Sequence, residues 1–434
     1  MKRIFIYISS IILITSCTSD LLDTSPYSAI SSETMWTTDN LTDLGITGVY
    51  ASLRLGNGSS SSSSPYELYV MDKYSFTGQS RFDESLLRGT ITSSDGMFST
   101  MWQNFYEGIQ RANDGIKNIP LKSPSVETKK ARYIAECKFF RAYFYYRLNQ
   151  LYKGVPIYLE PLTAKEATKA RSTEDEVWNQ IVTDLTDCIN EENLPNIYPS
   201  GNANYGHITK GAAYALRGKV YMYQKKWDLA TNDFNKVKEC GYSLFSNYKT
   251  LFTVANEQCP EMIFTIQNIS QQNYGGTTQL YYGSRSAFTF DWNYYMPTPD
   301  LVDLYENTDG SKFNWDDVIP GYSNLTVAER EVFFLRDNLT PAEITAATLR
   351  GAKMSLYLTT GNEARVLKAY ENRDPRLAAT CITPYSTFVG SYNNTTTVTI
   401  STMRWPYRGQ ALVGGDLQTD TQNYLYYLYR KFVI

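Results

Sequence analysis

Four residues constrain this chain most: Gly218, Tyr221, Ala230 and Phe234. They stand in "GAAYALRGKVYMYQKKWDLATNDFNKVKECGY", where two stretches of helical periodicity flank a turn at Trp227-Asp228. The small residues allow two antiparallel helices to approach closely, and Tyr221 and Phe234 fill the seam between them. Such a pair cannot bury its faces alone, so it requires neighbouring pairs stacked against it.

The chain supplies those neighbours. Residues 32–55 and 97–118 carry apolar side chains near a 3.6-residue spacing, and Trp36 and Trp102 at that spacing are expected in the core. A long segment opens at Ser125, a plausible cap, and sets Ala135, Phe139, Ala142 and Tyr146 on one face until Gly154 and Pro156 stop it. Arg141, amid "FFRAYF", reads as a tie between helices. Thr173-x-x-Glu176 has the form of a capping box, followed by a stripe of Val177, Trp178, Ile181, Leu185 and Ile189 that Pro195 closes. The fold class is therefore mostly α: tetratricopeptide-like helical pairs at 97–150 and 172–238 form a right-handed solenoid platform.

The texture changes elsewhere. Gly56 to Pro65, "GNGSSSSSSP", is a low-complexity solvated turn, and residues 66–95 read as a long loop region. After about residue 255, "PEMIFTIQ" reads as a strand, 270–300 as Gly-, Tyr- and Asn-rich loop, 325–370 as mixed helices and 381–412 as strand and turn. These segments form a loop-rich irregular lobe containing short strands. Within it, Arg373, Asp374 and Arg376 of "NRDPRL" are expected to tie a turn through buried charge-assisted hydrogen bonds, with Pro375 fixing its shape.

The amino terminus locates the protein. Lys2 and Arg3 precede an apolar run, Ile4 to Ile14, that is shorter than the ~20 residues a bilayer span needs and suits a secretory signal. Its end, Ile14-Thr15-Ser16-Cys17, resembles a bacterial lipobox. Residues 1–16 are then a removed lipoprotein signal peptide, Cys17 is the lipid-attachment site and 17–30 form a lipidated tether. An ordinary secreted protein with a chance cysteine accounts less well for this order of residues. Acyl chains at roughly 0.8 kcal/mol per buried CH₂ hold such a protein on a membrane almost permanently.

Composition narrows the chemistry. Removing residues 1–16 takes away Lys2 and Arg3 and no acid, moving the formal charge from −3 to −5. That balance, without clustered cations, argues against a nucleic-acid partner. Of 6 cysteines none forms C-x-x-C; Cys137 and Cys188 sit in helical patterns, and a single Cys240–Cys259 bridge is one open option. The lone histidine, His207, excludes sites needing two His ligands and reads as a capping or packing residue. Tyrosine is abundant, 36 of 434, so flat amphipathic plates are available for stacking on sugars.

Taken in order, these strings resemble the SusD/RagB family of nutrient-binding outer-membrane lipoproteins. "AECKFFRAYFYYRLNQLYKGVPIY" is close to that family's A-E-x-x-F-x-R-A-x-x-Y … L-x-x-x-Y-G-x-V-P pattern. "STEDEVWNQIVTDLTDCINEENLP", "WDLATNDFNKV", "EMIFTIQ", "MPTPDLVDLYENTDG" and "ENRDPRL" follow in register with it. The resemblance implies an N-terminal helical region over 31–255 and a C-terminal lobe over 256–434. It also implies an outer-membrane location, lipid-anchored and facing the cell exterior, with no catalysis and no cofactor. Family members bind oligosaccharides, sometimes peptides, and act as a lid over a SusC-type TonB-dependent β-barrel transporter. The family continues past Y-x-R-K-F, here Tyr429-Arg430-Lys431-Phe432, into a further helix, so the lobe is expected to be truncated.

Ligand contacts are expected on loops borne by the rigid helices. "DKYSFTGQSRFDE" offers Tyr74, Arg81 and Phe82; "YGGTTQLYYGSRSAFTFDWNYY" offers Tyr281, Tyr282, Arg285, Trp292 and Tyr294. Aromatic rings cover the apolar faces of a pyranose while Arg, Asp and Asn take its hydroxyls. No metal ligand set is legible. Other readings are a peptide-capturing member of the same family, a tetratricopeptide scaffold, or a glycoside hydrolase. The last would need two carboxylates about 5–10 Å apart across a cleft, and no segment singles out such a pair.

Overall fold

The structure, a computed structural model, describes residues 34–55, 68–163, 165–269, 278–283, 293–391, 398–402, 404–406, 413–416 and 427–431. The signal peptide, Cys17, the tether, the serine run, Arg285 and Trp292 lie outside the described residues. The chain divides into two compact units: Met1–Leu53, Gln103–Asn196 and Ile208–Val237 in one; Arg54–Trp102, Ile197–His207 and Lys238–Ile434 in the other. Most described residues are helical, and no described helix is long and apolar enough to cross a membrane.

The first unit contains helices α1 (Asp39–Ala51), α2 (Gly96–Lys122, from Gln103 onward), α3 (Glu127–Tyr152), α4 (Glu174–Asn190), α5 (Lys210–Tyr223) and α6 (Trp227–Glu239, to Val237). α3 is central: α1 and α4 pack on it, and α5 packs on α4. The expected face of α3 is buried at Ala135, Phe139, Ala142 and Tyr146. So are Phe140, Phe144, Tyr145 and Leu148, which is why its apolar residues are not confined to one stripe. Thr173 and Glu176 close the expected capping box on α4, whose stripe from Val177 to Ile189 is buried. At Gly218 an added Cβ would lie 2.6 Å from the Phe234 ring, so that ring packs on the bare glycine; Phe234 is nevertheless exposed and Tyr221 half-buried, so the two do not fill a closed seam as expected.

Polar stitches hold the helices in register. Arg141 donates to Asp184 on α4 at 2.7 and 2.9 Å, to Asn113 on α2 at 2.9 Å and to the Leu159 carbonyl at 3.2 Å. Burial works against its charge, but the Asp184 pair outweighs this and holds the guanidinium pKa above its ordinary value. Arg217 repeats the device between α5 and α6, donating to Asp233 at 2.7 and 2.8 Å.

Several expectations need correction. Ser125 does not cap α3; the cap position is Val126, and the Ser125 hydroxyl donates to Asp39 on α1. Trp36 precedes α1 and is buried, whereas Trp102 is only half-buried. Cys240 and Cys259 are not joined by a disulfide: Cys240 is buried directly after α6, while Cys259 sits on a turn closed by its N–H to Asn256. His207 packs edge-on against Tyr198.

The second unit is built from short elements. Its helices are α7 (Thr278–Tyr282), α8 (Pro299–Leu304), α9 (Trp315–Val318), α10 (Val327–Arg330), α11 (Pro341–Leu349), α12 (Asn362–Leu367) and α13 (Pro375–Thr380). Strands β1 (Gly78–Ser80) and β2 (Tyr295–Pro297) pair antiparallel, as do β3 (Cys381–Ile382) and β7 (Leu428–Tyr429). A further sheet joins β4 (Thr387–Ser391), β5 (Val398–Thr402) and β6 (Val413–Asp416), the last pair parallel. "PEMIFTIQ" is not a strand; none of the described ladders pairs with it. The "NRDPRL" turn forms as expected: Arg373 donates to the carbonyls of Ala369, Val302 and Tyr305, and Asp374 caps α13 at Arg376 N. Arg376 itself pairs with Asp374 at the surface rather than in the interior.

Candidate functional site

The antiparallel β1–β2 pair brings the two expected ligand loops together within the second unit. Gly78 faces Pro297 and Ser80 faces Tyr295, and the pairing runs one residue further through Arg81 N to the Tyr294 carbonyl at 3.0 Å. Gly78 is required here, because a Cβ would lie 2.7 Å from the Asp72 carbonyl oxygen. Asn293 turns the chain in a left-handed conformation (φ 51), which asparagine tolerates. Asn293 and Tyr294 then donate backbone hydrogen bonds to Gly283 and Tyr281 at 2.9 and 2.7 Å.

A cluster of rings results. Tyr281 and Tyr294 stack with centroids 5.5 Å apart, Tyr282 and Tyr295 meet edge-on at 5.6 Å, and Tyr282 leans on Tyr429 at 5.0 Å. Tyr281 and Tyr282 are buried and form the base. On top, the edge of Phe82 meets Tyr294 at 4.7 Å. The Arg81 guanidinium lies 4.9 Å from the Phe82 ring and 4.7 Å from that of Tyr294. Phe82 is 49 % exposed, so this corner presents a flat apolar plate next to a cation.

Tyr74 has a different place. Its hydroxyl donates to Glu84 at 3.3 Å, and Glu84 pairs with the nearly buried Lys73 at 3.0 Å. Lys73 in turn lies 4.9 Å from the Tyr74 ring and 5.2 Å from that of Tyr295. The group is a strut under the loop. Burial raises the Tyr295 pKa, with Lys73 opposing it, and burial likewise raises that of Tyr429. Both phenols are therefore neutral hydrogen-bond donors at physiological pH.

Beside Tyr282 and Tyr429 lies a half-enclosed cavity of about 560 Å³. Asp72, Tyr248, Tyr305, Thr380 and Lys431 also line it. The sequence reading missed this part of the unit. No local pattern marks it, because its lining residues are scattered along the chain. Among the described residues, no group of three or more His, Cys, Asp and Glu is placed to hold a metal ion.

Comparison with known proteins identifies the scaffold. A family profile described as "Starch-binding associating with outer membrane" matches residues 20–222, and the SusD family profile matches 260–434. The chain belongs to the SusD/RagB family. SusD-like protein P25 of Formosa agariphila is 28% identical over 216 residues, covering 48% of this chain and 40% of that protein. The chain spans between 40% and 59% of the curated relatives it matches. A SusD-like protein from Bacteroides fragilis superposes with a TM-score of 0.66 at 21% identity, covering 94% of this chain and 71% of the other; that likeness concerns the fold. A laminarin-binding SusD-like protein superposes with a TM-score of 0.53 at 26% identity over 62% of this chain and 64% of its own.

Proposed function

We propose that this protein is a lipid-anchored lipoprotein on the outer face of the outer membrane. It captures oligosaccharide without cleaving it and delivers it to a SusC-type TonB-dependent barrel. The observation that carries the reading is the exposed Phe82 plate with Arg81 and Tyr294 around it, on a scaffold of the SusD/RagB family. A pyranose has an apolar C–H face that an aromatic ring covers and equatorial hydroxyls that a guanidinium and phenols can hydrogen-bond. Arg285 and Trp292 belong to the same loop in sequence and complete the proposed contact set, while Tyr74, Tyr281 and Tyr282 support the plate from beneath.

The laminarin-binding relative makes a β-glucan the first ligand to try. Titration of the full chain with laminarihexaose, followed by an array of plant, host and microbial glycans, tests capture. Binding without new reducing ends supports the reading, and turnover abolished by a single Asp or Glu substitution overturns it. Cys17→Ala should release the protein from membranes, and continued lipid labelling of that variant refutes the anchor. Pull-down from outer-membrane extract should recover one large barrel protein.

A further inference from the structure

The Y-x-R-K-F segment has a consequence for the cavity beside the ring cluster. Tyr429, at the end of β7, and Lys431, on the turn that follows it, both line the cavity. Arg430 between them donates instead to the Thr387 carbonyl at 3.0 Å. The segment is pinned by Thr380, whose carbonyl accepts the N–H groups of both Arg430 and Lys431, at 2.8 and 3.2 Å. Tyr429 donates to the Thr77 carbonyl at 3.3 Å, and Lys431 donates to the Tyr248 hydroxyl at 3.2 Å. The walls are thus held by bonds that do not depend on a ligand.

The lining has a definite chemistry. The phenol rings of Tyr248, Tyr282, Tyr305 and Tyr429 supply apolar faces with hydroxyl edges. One carboxylate, Asp72, and one ammonium, Lys431, share the space, and the attraction of Lys431 opposes the rise that desolvation imposes on the Asp72 carboxyl. The charges on the lining cancel. An anion entering would meet Asp72, and a cation would meet Lys431.

The Thr380 side chain gives the second observation. It is 7% exposed, lines the cavity, and its hydroxyl makes no hydrogen bond of ordinary geometry. Burial raises the pKa of the neighbouring Tyr305 phenol, and the Thr380 hydroxyl opposes that rise. Buried polar groups are nearly always paired, and because neighbouring atoms close this oxygen off from the cavity, a ligand reaches it only after the Thr380 side chain rotates. A ligand with its own hydroxyls could bond both.

We propose that this cavity is a second carbohydrate site, taking an uncharged sugar ring at the end of a glycan, distinct from the exposed Phe82 plate. The ring lies against the tyrosine faces, with hydroxyls bonded to Thr380, Tyr305 and Asp72. Among the described ligand residues expected from sequence, only Tyr282 lines it. The site reads one end of a chain, whereas an open plate accepts any stretch of one.

Single-ring probes separate the two. The full chain is titrated with the methyl glycosides of glucose, galactose, mannose, xylose and N-acetylglucosamine, and with glucuronic acid and alanine as charged controls. Binding is read by saturation-transfer NMR and crystals are soaked with any probe that binds. At least one neutral glycoside should bind, with its ring in the cavity. Thr380→Val and Tyr305→Phe, which keep shape and remove one hydroxyl each, should weaken it about three- to tenfold. Their unfolding curves should match the wild type. Failure of every neutral glycoside overturns the proposal, as does tighter binding of glucuronic acid or alanine, or full affinity in both hydroxyl variants. A single-ring signal lost in Phe82→Ala but kept in Thr380→Val would place the ring on the plate, sinking the cavity site while leaving glycan capture standing.

Discussion

Phe82 keeps 49 % of its surface open, and Arg81 and Tyr294 cover part of the remainder. Full burial of a phenylalanine side chain contributes about 1.5–3 kcal/mol. Covering the open half with a sugar ring therefore contributes about 0.7–1.5 kcal/mol. Phe82→Ala should weaken oligosaccharide binding roughly three- to twelvefold by that arithmetic. Phe82→Tyr keeps the plate and should retain the affinity. Arg81→Ala removes a group stacked on the same ring, so its effect and that of Phe82→Ala should not add. Calorimetric titration at fixed salt, using the glycan that wild type binds best, measures all three, with thermal unfolding as a control for folding. Wild-type affinity in a properly folded Phe82→Ala protein would refute the assignment of this face as the binding plate.

Stability offers further tests. Asp184→Asn leaves the buried Arg141 charge underpaired and should cost about 3–5 kcal/mol in urea unfolding, with much of it restored by the paired change Arg141→Met and Asp184→Leu; a loss under about 1 kcal/mol would mean the pair is a surface-like ornament. Gly218→Ala drives a methyl into the Phe234 ring and should cost about 1–3 kcal/mol; an unchanged melting temperature would show that the exposed Phe234 ring swings aside without loss. Glu176, accepting from the backbone and hydroxyl of Thr173, has its pKa held below the ordinary glutamate value. The unfolded chain then binds more protons, so this stabilisation is present above the ordinary glutamate range and is lost as pH falls through the folded value. Glu176→Gln should flatten that part of the acid limb, and an identical limb would argue that the capping box does not titrate.

The helical unit was legible because its signals are local. The spacing of Ala135, Phe139, Ala142 and Tyr146, the Thr173–Glu176 box and the Gly218–Phe234 seam each lie within one or two helices. Ser125 had the chemistry of a cap, but Asp39, far away in sequence, offered its hydroxyl a carboxylate. "PEMIFTIQ" had strand composition, but none of the described ladders includes it, and a strand is defined by its neighbour rather than by its own residues. The ligand loops were picked out by composition alone. Which of their rings form the base and which face outward was set by β1–β2 pairing, which no local pattern encodes. Tyr429 and Lys431 escaped for the same reason: their cavity draws on Asp72, Tyr248 and Thr380, scattered along the chain.

Gln79 reaches the Pro297 carbonyl across 218 positions of sequence, helping to close the β1–β2 pair that holds the ring cluster together. Contacts of such span are entropically costly and form late. A growing polypeptide that has emitted only its first helices owns half a grip and can hold nothing. The ring cluster is thus completed only when the last third of the chain pairs with a loop made long before it.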